Sequence, residues 1–309
     1  MGQRERERHQ VTRLTNTCEG SNGVAVSNAN SAPDQWSFIN LTGAGATMAF
    51  DTSEKHSGSS SMKIHMPAGV VSQAYTSWPA QTSTAVAYSR AYFKFPVLPT
   101  GTAPRLLTLL AGSTIGVYLR LSVSSGVMQA YNNAGTLLGA TTAALPINSW
   151  VRVDCNVTNM NGTTADLAAH FYSGANLETN TPDTNGSIVV TGAAIPSMAV
   201  TVRPGISANN TATSDWDYYI DDVAYDNATF IGSSIVSGTV LVDYGGFYRL
   251  PTAAERATTI TYTGDTTPDA NRSGKTGYGY LYAKPGDHWI TTTGSISRTL
   301  SAGLVWVTD

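Results

Sequence analysis

Apolar and polar positions alternate along most of this chain. In Ser61-Met-Lys-Ile-His-Met66 the residues Met62, Ile64 and Met66 share one face. The stretch from Thr84 to Phe95 does the same over a longer span. Ala87, Ser89, Ala91, Phe93 and Phe95 fall on one side, and Val86, Tyr88, Arg90, Tyr92 and Lys94 on the other. A period of two places successive side chains on opposite faces, so both segments read as strands with a small apolar face inward and a mixed face outward. Further strands are expected near 104–111, 115–123, 127–132, 149–158, 164–173, 198–206 and 216–226. Asn and Gly cluster between them, as in Asn132-Asn-Ala-Gly135 and Asn159-Met-Asn-Gly162, where turns need residues that tolerate left-handed backbone. No stretch sustains the helical period. Many short strands without helices predict an all-β, antiparallel sandwich or barrel over residues 14–231.

The texture changes at both ends. Residues 1–13, MGQRERERHQVTR, hold Arg4, Arg6, Arg8 and Arg13 interleaved with Glu5 and Glu7. They read as an N-terminal arm, either solvated, left over from an early start codon, or docked on a neighbouring subunit. Gly232-Ser-Ser234 and Ser237-Gly238 read as a linker into a small C-terminal β domain over 232–309, with strands at 239–243, 258–263, 278–283, 288–292 and 304–308. Such a piece is marginal alone, which suits an attachment or oligomerisation role.

Composition narrows the function. Only 13% of the 309 residues are charged, and the net charge is −3, against about 25% charged in an average domain. That gives no electrostatic case for direct nucleic-acid binding. No apolar run reaches the ~20 residues of a membrane span, and no secretory signal is expected from residues 1–13. Cys18 and Cys155 are too few for a disulfide scaffold or a zinc site. They could face each other in a sandwich, and two buried free thiols are the commoner arrangement.

Three segments in order carry a resemblance: Thr17-Cys-Glu19-Gly, then Asp51-Thr-Ser-Glu-Lys-His-Ser-Gly58-Ser-Ser-Ser-Met-Lys-Ile64, then Asp215-Trp-Asp-Tyr-Tyr-Ile-Asp-Asp222-Val-Ala-Tyr. The chain resembles the concanavalin A-like or laminin G-like jelly rolls and the related carbohydrate-binding modules. The resemblance implies a jelly-roll sandwich whose first and last strands pair. It also implies a structural Ca2+ held by Glu19, Asp51 and Asp222, completed by backbone carbonyls near Lys55. The alternative for the acids of the closing strand is simply to accept backbone hydrogen bonds. A looser resemblance, carried by the Thr-Arg-Leu-Thr-Asn-Thr-Cys-Glu-Gly opening and the lysine-poor texture, is to virion proteins of tailed actinobacterial phages, of the minor tail, fibre or capsid decoration type. It implies other virion proteins and sister copies as partners, and a place on the particle surface after assembly in the host cytoplasm.

Catalytic motifs are sparse. The Glu-x-Asp-x-Glu strand of glucan-cleaving jelly rolls is absent, and so are Gly-x-Ser-x-Gly and His-Glu-x-x-His. Asp215 and Asp217 share one strand face, but they follow a turn where Asp commonly caps. Arg90, Tyr92, Lys94, Arg120 and His170 do not reproduce lyase strand patterns. Aromatic residues supply the positive clue. Tyr88, Tyr92, Tyr118, Tyr131 and Tyr172, with Arg90, are expected to line an outward face and stack on sugar rings. The alternative is that these tyrosines pack along strand edges or in a subunit interface. The expectation is therefore a non-enzymatic structural virion protein with a lectin-like jelly roll for cell-surface polysaccharide. The alternatives are a glycan-depolymerising enzyme on the same fold and a purely architectural protein.

Overall fold

The computed structural model describes residues 13–30, 33–195 and 199–234, and beyond them the backbone of seven strand segments. Of the expected arm, residues 1–13, all but Arg13 lies outside the described residues. The chain divides into two compact units, Met1–Ser233 and Ser234–Asp309.

The first unit carries fifteen strands: β1 (Leu14–Asn16), β2 (Phe38–Thr42), β3 (Thr47–Asp51), β4 (Ser61–Met66), β5 (Val71–Ser77), β6 (Ala87–Lys94), β7 (Arg105–Ala111), β8 (Thr114–Leu121), β9 (Val127–Asn132), β10 (Leu137–Ala144), β11 (Trp150–Thr158), β12 (Ala165–Ser173), β13 (Ser187–Ala193), β14 (Thr201–Thr211) and β15 (Trp216–Asp226). They form two antiparallel sheets. The larger runs β13-β12-β11-β6-β15-β4-β3 with β1 also on β15, and the smaller runs β10-β9-β8-β7-β14-β5-β2. This is an all-β antiparallel sandwich, one of the two architectures that the alternation predicts.

The core lies between the sheets. The larger sheet sends in Met62, Ile64, Phe93, Val153, Phe171 and Ile220, and the smaller sends in Leu107, Leu109, Val117, Leu119, Met128 and Val202. All are essentially inaccessible to solvent, and burial of each large apolar side chain contributes about 1.5–3 kcal/mol. The inward set of β6 (Ala87, Ser89, Ala91, Phe93) is as expected.

Strand β15 closes the sandwich. One edge pairs with β6. The other edge is shared, with β4 opposite Trp216–Ile220 and β1 opposite Val223–Tyr225. Asp221 and Asp222 lie at the seam between those two partners. There β15 gains one residue on β6, the register stepping from Asp221↔Tyr92 to Ala224↔Arg90, and Asp222 takes a φ of +45°. This is a bulge, which leaves backbone groups unpaired and re-aims side chains.

The second unit is also antiparallel. β16 (Val242–Tyr244) pairs with β17 (Phe247–Arg249), β18 (Ile260–Asp265) with β21 (Thr293–Arg298), and β19 (Gly279–Ala283) with both β20 (His288–Trp289) and β22 (Leu304–Thr308).

Candidate functional site

The two sheets turn chemically different outer faces away from the core. The strands of the larger sheet carry seven carboxylates: Asp51, Asp154, Asp166, Asp217, Asp221, Asp222 and Asp226. The strands of the smaller sheet carry none, and their charged residues are three arginines: Arg105, Arg120 and Arg203.

On the smaller sheet, alternation puts Tyr118 and Arg120 of β8 opposite the inward Val117, Leu119 and Leu121. Register carries the face across the strands: Tyr118 lies opposite Tyr131, Arg120 opposite Gln129, and Arg105 opposite Arg120. Tyr118 and Tyr131 stack at 5.4 Å. Each guanidinium rests on a ring: Arg105 over Tyr118 at 4.0 Å, Arg120 over Tyr131 at 4.4 Å, and Arg203 over Tyr75 at 4.9 Å. Contacts of this kind hold a cation in a fixed plane for about 0.5–1 kcal/mol each while leaving its edge free to donate. Side-chain amides complete the face. Arg120 donates to Gln129 Oε1 at 3.2 Å and to the Tyr131 hydroxyl at 2.6 Å, and Gln73 donates to Asn209 Oδ1 at 2.6 Å. Burial, together with the positive charge of Arg120, holds the Arg105 guanidinium below the ordinary arginine value against the opposing pull of Tyr118. A cavity of about 190 Å³ opens here, lined among others by Arg105, Tyr118, Arg120, Asn209 and Asn210.

The outer face of the larger sheet is roofed over β6, β11 and the bulge of β15, while Lys63, His65 and Asp217 stay about one third exposed. Residues 53–57, 174–180 and 226–233 pack over it and fill its polar groups. His56 is the hub. Its side chain is 3% exposed, its Nδ1 lies 2.7 Å from Asp222 Oδ2, and its Nε2 lies 2.7 Å from Glu178 Oε1. Its ring stacks on Tyr92 at 3.7 Å. Burial alone lowers an imidazole pKa, but hydrogen bonds to the two carboxylates outweigh it and raise His56 to about 9, so it is an imidazolium at neutral pH. The backbone N–H groups of His56 and Ser57 donate to Asp221 Oδ2, and that of Asp222 donates to Asp221 Oδ1. Burial first and the Asp222 charge second raise the Asp221 carboxyl pKa. Arg90 donates to the carbonyls of Asp222 and Gly232, Arg152 to those of Leu177 and Thr179, and the Tyr92 and Ser233 hydroxyls to Glu178. Asp154, 1% exposed, is raised to about 6 by burial against the opposing charges of Arg152 and Arg90.

The six residues expected on one binding face therefore divide between two. Tyr118 and Tyr131 lie on the smaller sheet, Tyr118 buried (8%) beneath Arg105 and Tyr131 half-buried. Tyr88, Arg90, Tyr92 and Tyr172 lie on the larger, where Arg90 (6%), Tyr92 (0%) and Tyr172 (1%) are closed off beneath the roof. Strand alternation sets which face a residue takes, but not whether a loop later covers that face. Tyr172 carries Arg152 at 3.6 Å, and Tyr88 packs edge-on against Phe230.

Each of the three expected calcium donors is engaged within the protein. Glu19 accepts from the backbone and hydroxyl of Ser59, Asp51 from Ser53 and Glu54, and Asp222 faces the His56 imidazole. Calcium takes about six to eight oxygens. Among the described residues no three His, Cys, Asp or Glu side chains gather as a metal site, so these donors do not fit an ion shared by the three. Asp215 accepts from the backbone of Ala68, and Asp217 pairs with Lys63 at 2.9 Å and His65 at 2.7 Å. Cys18 and Cys155 are buried free thiols. Among the described residues no helix is long and apolar enough to cross a membrane.

The chain matches no protein-family model and no curated protein. Among solved structures it is similar to the endo-β-1,4-glucuronan lyase of the fungus Trichoderma reesei, at 11% identity and a TM-score of 0.51 over 70% of this chain and 96% of that one. It is also similar to the PL-14 alginate lyase of Aplysia kurodai, at 13% identity and a TM-score of 0.49 over 69% and 98%. A third is the Ca2+-bound exoplasmic/lumenal domain of VIP36, at 10% identity and a TM-score of 0.43 over 71% and 91%. The first of these likenesses places the sandwich in the jelly-roll architecture.

Proposed function

We propose that the protein binds a polysaccharide chain along the outer face of the smaller sheet and does not cleave it. One observation carries this reading: the stacked Tyr118–Tyr131 pair, framed by Arg105, Arg120 and Gln129 beside a cavity. Tyr118 is buried beneath Arg105 and Tyr131 is half-buried beneath Arg120, so the rings fix the two cations, and it is the guanidinium and amide edges that suit the hydroxyls and polar edges of a sugar chain. Binding without hydrolysis is supported by the carboxylates. A glycosidase needs an acid and a second carboxylate about 5–10 Å apart, and the strands of this sheet have neither. Asp215 and Asp217 are already engaged with Ala68, Lys63 and His65.

A second reading, depolymerisation by elimination, draws on the same place, because the Tyr118 phenol lies under Arg105 and next to Arg120. Affinity electrophoresis in gels cast with wall and capsular polysaccharides tests the first reading. Retention that Y118A/Y131A abolishes supports it, and unsaturated ends released from the retained polymer would replace it with the second. On the sequence resemblance alone, the setting we propose is the surface of a tailed-phage particle. There the C-terminal unit attaches the sandwich to the virion or to sister copies, and an array of copies multiplies a weak site by about 10²–10⁴. Labelled antibody on intact particles tests that setting.

A further inference from the structure

We propose that the ligand of this face is acidic, and that its carboxylate or sulfate group lies between Arg105 and Arg120 at the cavity; this rests on reading the face as a polysaccharide site.

Three observations converge on it. First, charge is segregated by sheet. The strands that build this face hold three arginines and no carboxylate, whereas those of the other sheet hold seven. Second, Arg105 and Arg120 are direct cross-strand partners. Like charges placed opposite each other in an antiparallel pair destabilise it, and here, among the described residues, they are held by rings and amides rather than by a counter-ion. A bound anion supplies the missing compensation. Third, a cavity of about 190 Å³ is lined by both arginines together with Asn209 and Asn210. Asn210 is 1% exposed and donates through Nδ2 to Thr102 O at 2.6 Å, while its Oδ1 has no hydrogen-bond partner among the described residues. Arg120 Nε is likewise without one. Both atoms are closed to solvent, so an anionic group in the cavity meets the remaining N–H edges of Arg105 and Arg120 rather than these two atoms.

The test is affinity electrophoresis of the full chain in gels containing polyglucuronate, alginate or dextran sulfate, and in parallel gels containing the carboxyl-reduced or desulfated forms. Retention by an acidic polymer, weakened about tenfold or more in its neutralised form and in R105Q/R120Q, is the expected result, since one charge-assisted hydrogen bond is worth about that factor. Carboxylate and sulfate polymers separate the two sources of negative charge. Lys63→Gln, on the other sheet, changes retention less than about twofold. Equal retention of acidic and neutral forms overturns this inference and leaves polysaccharide binding standing. Retention of no polymer overturns both. Equal retention by duplex DNA marks a general polyanion surface and also overturns it. Should R105Q/R120Q melt early, R105Q alone serves.

Discussion

The outer faces of the two sheets in this sandwich solve opposite problems with the same residue types. Both set arginine on tyrosine: Arg152 on Tyr172 in the larger sheet, and Arg105 on Tyr118 in the smaller. In the larger sheet the arginines donate to carbonyls of covering segments and lie among carboxylates, so the polar groups bind the protein to itself. In the smaller sheet no carboxylate among the described residues answers the arginines, which stay half-buried over the buried rings of Tyr75 and Tyr118 and the half-buried ring of Tyr131. An arginine–tyrosine pair does not by itself mark a binding site. The nature of its other neighbours decides whether it locks a roof or awaits a ligand.

The sharpest way to break this contrast is to remove a partner from each face. His56→Leu leaves Asp222 and Glu178 facing an apolar side chain, and breaking a buried ionic cluster this way costs about 3–5 kcal/mol. The same exchange at Arg105 is expected to cost less than about 1 kcal/mol. Urea unfolding of the two variants measures both, and similar losses would erase the distinction.

Next in size is pH. Folded His56 titrates near 9 and an unfolded histidine near 6.5. Its stabilisation is therefore complete below 6.5 and disappears as pH rises through 9. The raised Asp221 carboxyl acts in the same direction, because the folded state keeps a proton that the unfolded chain releases. The melting temperature is expected to fall from about pH 6.5 to pH 9, and less steeply in His56→Gln; a flat profile in the parent protein would remove His56 from the hub.

Ligand binding comes after these. Raising salt from low to moderate concentration should weaken retention by an acidic polymer, since screening acts on the half-buried arginines of the smaller sheet. It should leave the melting temperature, set by the roofed cluster, little changed. The smallest effect is at the rim. Arg13, 42% exposed, meets Asp226 at 3.0 Å, and Arg13→Ala is expected to cost about 0.5 kcal/mol in the same unfolding experiment.

The sandwich itself was legible. Strands β4, β9 and β15 fall where alternation places them, and the inward side of β6 is as read. Strands β1, β2, β3, β5, β10 and β13 fall outside the expected spans; β1 is only three residues long, and in β5 and β10 Thr, Gly, Ala and Ser blur the contrast between faces. The site was half legible. Tyr118, Tyr131 and Arg120 stand out as an outward set, but Arg105 and Arg203 gain meaning only when register brings β7, β8 and β14 together. The absence of Asp and Glu from the segments 104–111, 115–123, 127–132 and 198–206 was the available signal. The roof was not legible, since His56 and Glu178 are 122 residues apart and meet only over the folded sheet.

The closure on β15 has a mechanical consequence. Leu14 lies opposite Tyr225 in an antiparallel ladder, and Arg13 reaches the Phe230 carbonyl at 3.2 Å, so the chain enters and leaves the sandwich at one corner. Tension applied through residues 13 and 230 runs across the ladder instead of along it. The rungs break singly, from Leu14 inward, and the sandwich opens like a zipper under forces that a sheared strand pair resists.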